Sequence, residues 1–121
     1  MVGVIYKRKD VSMRLVIEIN EKSHMKGFLS VLALGILNCI ENEKITHRDA
    51  SMLLFSPRMM DLLKEYSEVS EMIHAGTELE DIANLVPEAL EDEISKMKDN
   101  CYKELNFIYS NERNIEYRME E

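Results

Sequence analysis

The chain has no tryptophan and only two cysteines, two prolines and four glycines among its 121 residues. Two cysteines without CxxC spacing exclude a disulfide framework and a zinc ribbon. Cys39 and Cys101 both fall within apolar helical pattern, where buried, reduced thiols are expected. So few glycines leave little backbone for cradling a phosphate, and the GxSxG, GxGxxG, Walker and EF-hand patterns are all missing. No repeat, Gly/Ser linker or low-complexity run marks an interior domain boundary. The three histidines, His24, His47 and His74, form no HxxxH or HExxH spacing. The motifs therefore assign no catalytic residue, no cofactor and no metal ligand set.

What remains is a composition 45% hydrophobic and 31% charged, which suits a globular chain long enough to enclose one core. The net charge of −8 is unevenly placed. Residues 1–60 hold nine basic side chains against six acidic, and residues 61–121 hold six against seventeen, so the halves carry +3 and −11. The acidic half repels phosphate backbones and attracts basic proteins, so a protein partner is expected, or a second copy of the chain, and nucleic acid is not. A helix-turn-helix over residues 46–66 would offer DNA only Arg58 and Lys64 beside Asp61 and Glu65, which argues the same way.

Along the chain, residues 2–6 and 14–19 are rich in β-formers, and the second run alternates Leu15, Ile17 and Ile19 against Val16, Glu18 and Asn20. They read as two short strands joined through residues 7–10. Ile115, Tyr117 and Met119 alternate in the same way and would supply a third edge strand. Residues 27–40 have only Ser30 and Asn38 as polar members, so no face suits water. Fourteen residues rise about 21 Å, short of a bilayer core, and the segment reads as a helix buried at the centre of the protein. Lys22 and Lys26 ahead of this run and Cys39 at its end superficially resemble a lipoprotein signal. Asn38 is too large for the position before such a cysteine, and Glu18 and Glu21 spoil the basic leader; a cytoplasmic protein with no membrane partner is expected.

Thr46, with Asp49 three residues on, stands as the N-cap of a short helix, and Ser56-Pro57 opens another whose inner side would be Met60, Leu62, Leu63 and Tyr66. A helix over residues 68–75 is expected to stop at Gly76 in a left-handed conformation, and Thr77 and Glu80 then to form a capping box. Pro87 opens the last helix, where Leu90, Ile94, Met97, Cys101, Leu105 and Ile108 make one apolar stripe.

The segments Gly27-Phe28-Leu29-Ser30, Leu34-Gly35-Ile36-Leu37 and Phe55-Ser56-Pro57, and residues 74–81 leading to Pro87, resemble an uncharacterised, mostly Gram-positive bacterial family of small helical proteins. It is catalogued as a domain of unknown function, and the likeness spans about residues 25–108. The resemblance implies a helical fold and brings no activity.

The expected architecture is thus mainly α: a compact helical bundle around one buried central helix, with a short N-terminal β-hairpin. It forms a single domain, with strands in residues 1–22, a helical core in 23–109 and a charged tail in 110–121. The expected function is that of a non-enzymatic interaction or regulatory module with an acidic binding face. The candidate functional segment is His74, Gly76, Thr77, Glu78, Glu80 and Asp81. The alternative is a small enzyme or metal-binding protein in which His74 works with Glu78, Glu80 or Asp81.

Overall fold

The structure is a computed structural model that describes the backbone of residues 2–7, 14–111 and 118–119, and the side chains of residues 15–109. Strand β1, Val2–Lys7, pairs antiparallel with β2, Arg14–Ile19, in a register that sets Val2 against Ile19 and Lys7 against Arg14. A two-residue strand β3, Arg118–Met119, adds to the other edge of β2. The expected link through residues 8–10, Ile115, Tyr117 and most of the charged tail lie outside the described residues. Burial along β2 is graded: Leu15 is exposed, Ile17 half-buried and Ile19 buried, so only the end next to the helices enters the core.

Helix α1, Lys22–Glu41, is the centre of the bundle and packs chiefly on α5, Leu90–Asn111, with further contacts to β2, α2, His47–Leu53, and α4, Ser67–Leu85. Its buried positions, Met25, Leu29, Ala33, Ile36, Leu37 and Ile40, follow helical spacing, and burying a leucine or isoleucine side chain is worth about 1.5–3 kcal/mol. At 20 residues α1 is longer than the apolar run it contains, and by length and composition it would suffice to cross a membrane. Here other helices cover it, except along a stripe where Val31, Gly35 and Asn38 are exposed. The helix closes without a glycine. Glu43 adopts φ 56°, and the amides of Glu43 and Lys44 return to the carbonyls of Ile40 and Cys39.

The short helices start where the sequence places them. The Thr46 hydroxyl accepts from the Asp49 amide at 3.1 Å and the Asp49 carboxylate accepts from the Thr46 amide at 2.9 Å, a full capping box that also holds the Asp49 carboxyl below its ordinary range. Ser56 caps α3, Pro57–Leu62, through the Met59 amide at 3.2 Å. Of the side chains expected inside, Leu63 is fully buried and Met60 and Tyr66 are half-buried, but Leu62 is 57% exposed, because α3 ends there after fewer than two turns.

The expected break at Gly76 is absent. Helix α4 runs unbroken through it, with Val69, Ile73, Gly76 and Leu79 as its buried side. Gly76 has no positive φ. A Cβ there would lie 2.3 Å from Phe55 Cγ, so glycine serves close packing and not chain reversal. Thr77 caps nothing either, since its hydroxyl donates back to the His74 carbonyl at 2.6 Å inside the helix. Pro87 opens a single 3-10 turn, Pro87–Ala89, that leads into α5, whose Ile94, Met97, Cys101 and Ile108 are buried as the stripe requires.

Candidate functional site

Residues 74–81 do not converge. His74, Glu78 and Asp81 fall at spacings of four and three on the solvent side of α4, with Glu71 before them and Leu85 after, and all five are exposed. His74 Nε2 lies 3.0 Å from Glu78 Oε1, an ordinary i,i+4 helix pair with both side chains more than half exposed. Thr77 flanks this row half-buried, Glu80 is exposed about a third of a turn away from it, and Gly76 faces the core. Among the described residues no group of three or more His, Cys, Asp or Glu side chains is placed to hold a metal ion.

The row runs into a larger acidic feature. Between residues 65 and 95 there are ten acidic side chains and no lysine or arginine. At the corner where α4 passes to α5, Leu85 is 79% exposed and Val86 44%, flanked in the chain by Asp81, Glu88, Glu91 and Asp92, which are exposed as well. Two bare apolar side chains with acids before and after them occupy the corner.

A second site lies between helices. A cavity of about 260 Å³ is walled by one face each of α1, α4 and α5. Helical spacing delivers the lining: Lys26 and Ser30 are four apart on α1, Glu68, Met72 and Ala75 four and three apart on α4, and Met97, Cys101 and Glu104 four and three apart on α5. Val69, Met97 and Cys101 are buried, and Met72 and Ala75 are half-buried. Lys26, 79% of its side chain covered, pairs with Glu68 and lies 4.0 Å from Glu104.

The acidities of the two glutamates move apart. The Lys26 ammonium holds Glu68 below the ordinary glutamate range, whereas burial first and then the neighbouring Glu68 raise Glu104 above it. Burial also pushes the Cys101 thiol up to about 11, so it stays protonated and unreactive at neutral pH. Ser30, 5% exposed, is the buried polar side chain of the core, and its hydroxyl has no hydrogen-bond partner among the described residues.

Sequence reading missed this site because no local signal points to it. Ser30 stood out as a polar residue in an apolar run, Cys101 as a member of a stripe, and Lys26 as a charge before a hydrophobic segment. Only the packing of three helices far apart in sequence brings them together.

These features define a small helical domain with a sheet at one end, an acidic corner and an interhelical cavity. The chain belongs to the DUF3969 family, described as protein of unknown function, whose model matches residues 20–120 and so takes in all five helices. The β1–β2 pair precedes the matched segment. Comparison with curated proteins gives no match, and comparison with solved structures gives none either.

Proposed function

We propose that the protein is a non-enzymatic interaction module of the cytoplasm, and that the acidic corner between α4 and α5 docks a basic, amphipathic segment of a partner protein. The observation that carries this reading is the pairing of exposed Leu85 and Val86 with the acids on either side of them, in a stretch of chain that has no basic residue. Apolar side chains bare to water cost little singly, but set beside one sign of charge they offer an anchor and a means of steering together. Glu71, Glu78 and Asp81 extend the same charge along α4. The enzyme or metal alternative has only the His74–Glu78 helix pair behind it.

Three synthetic peptides test the reading by amide chemical shifts: a Lys/Leu amphipathic helix, its Glu/Leu counterpart, and a Lys/Ser peptide of the same charge. The Lys/Leu peptide is expected to shift residues 78–92 and to release as salt is added. The other two are expected to leave that region unchanged. Leu85→Ser together with Val86→Ser should weaken the Lys/Leu peptide at least tenfold without unfolding the protein, since both side chains are exposed. Equal binding of the Lys/Ser peptide, or shifts centred elsewhere, would remove the apolar anchor and with it the proposal.

A further inference from the structure

We infer that the cavity between α1, α4 and α5 binds a small neutral carbonyl compound, with the ligand's carbonyl oxygen on the Ser30 hydroxyl and its hydrocarbon body against Val69, Met72 and Met97. The inference does not rest on the acidic corner. Size is the first support. The cavity, at about 260 Å³, exceeds the roughly 150 Å³ of an apolar cavity that takes up benzene, whereas packed cores leave few voids larger than a water molecule. Its buried lining is mainly apolar and its charged side chains are the more exposed ones, which is the form of a ligand pocket and not of a packing defect.

The second support is a polar group left over in that wall. Ser30 lines the cavity at 5% exposure, and its hydroxyl has no hydrogen-bond partner among the described residues. A serine or threonine inside a helix ordinarily gives its proton to a carbonyl of the preceding turn, as Thr77 does to His74 at 2.6 Å, and Ser30 makes no such bond. A buried hydroxyl left unpaired costs stability that a ligand oxygen restores. One acceptor suffices. A carbonyl oxygen takes the Ser30 proton and brings no donor of its own, whereas an alcohol carries a second hydroxyl proton to a wall of apolar side chains.

Charge selects a neutral molecule. The Lys26 ammonium pairs with Glu68 and lies 4.0 Å from Glu104, so the place of a cation beside these carboxylates is filled by the protein itself. An anion finds no free partner, because Lys26 is the one cation of the lining and stands against Glu68, Glu71 and Glu104. A metal lacks ligands, since among the described residues no three His, Cys, Asp or Glu side chains are placed to hold one. A neutral carbonyl compound leaves the Lys26–Glu68 pair intact and gives up no charge hydration on entering the apolar interior.

The test is a titration of the full chain, followed by the methyl signals of Met72 and Met97, with cyclohexanone, cyclohexanol, cyclohexylamine and cyclohexanecarboxylate, four probes that share a ring and differ in head group. Saturable shifts are expected with cyclohexanone, weaker binding with cyclohexanol and none with the two charged probes. Ser30→Ala should weaken cyclohexanone about tenfold, the loss of one buried hydrogen bond. The same variant should melt at the wild-type temperature or above it, because in the unliganded chain the hydroxyl has no bond to lose. Absence of saturable shifts with cyclohexanone, equal or tighter binding of any other probe, wild-type affinity in Ser30→Ala, or a lowered melting temperature in that variant would each overturn the assignment.

Discussion

Gly76 and Phe55 illustrate how a residue's role is set by what stands opposite it. The Phe55 ring, 3% exposed, lies against the α4 backbone where any side chain would have to start, and all three nearest ring carbons are under 3 Å from the position of a Cβ at Gly76. Two effects oppose each other in Gly76→Ala. Helix propensity favours alanine by about 1 kcal/mol, and forcing a methyl into a filled space costs about 1–3 kcal/mol. The contact involves a ring held on both sides by the core, so overpacking wins, and the variant is expected to lose about 1 kcal/mol or more of unfolding free energy in urea titration. In a Phe55→Leu background the same change should become neutral or stabilising, a coupling in the range of about 0.5–3 kcal/mol expected of touching residues. An equal loss in both backgrounds would mean that the ring is not the obstacle. Cys101 shows the same dependence on surroundings: a residue type prized for reactivity is made inert by burial.

At the scale of the element, two threonines with similar local sequence have opposite roles. Thr46 is followed three residues on by Asp49, and Thr77 by Glu80, yet only Thr46 caps a helix. The difference is tertiary. Ahead of Thr46 the chain has already left α1, whereas Ile73, Gly76 and Leu79 make a buried stripe that continues through Thr77, and ending the helix there would expose Leu79, now 1% exposed. Thr46→Ala is therefore expected to cost about 1 kcal/mol as a lost cap. Thr77→Ala should change stability by a few tenths of a kcal/mol at most or raise it slightly, because alanine is the better residue in a helix interior. A clear loss at Thr77 in chemical denaturation would contradict the continuous α4. Strand β2, the Ser56-Pro57 start of α3 and the α5 stripe were legible in the sequence because their signals are local: alternation, a hydroxyl before an orphan amide, a repeat of about 3.6 residues. The length of α4 and the left-handed turn at Glu43 were not, since glycine is needed at Gly76 for packing and Glu43 carries no sign of its positive φ.

For the whole molecule the governing quantity is the distribution of charge over the packed helices. The acidic candidate face was visible in the sequence as an imbalance between halves, but its apolar members were not, because exposure of Leu85 and Val86 depends on where α4 ends. The interhelical cavity was not legible at all. Among the described residues the ion pairs between the two halves include those of Lys26 with Glu68 and Glu104 and of Lys98 with Glu41. Other described pairs join neighbours on one helix or turn, where an exposed ion pair contributes about 0–1 kcal/mol. Against them stand ten acids in residues 65–95 with no basic residue among them and a net charge of −8. Salt screens both attraction and repulsion. The attractive pairs, however, are short-ranged and partly covered, whereas repulsion across α4 and the start of α5 acts through solvent over longer distances, and a Debye length that falls from about 30 Å at 0.01 M to about 3 Å at 1 M removes the longer-ranged part first. Added sodium chloride is therefore expected to raise the midpoint of thermal unfolding. Neutralising part of the acidic row should reproduce the rise without salt: Glu78→Gln with Asp81→Asn is expected to raise the midpoint at low ionic strength and to show a smaller further response to salt than the wild type. A midpoint that falls as salt is added would mean that the cross-helix pairs of Lys26 and Lys98 outweigh the repulsion along α4.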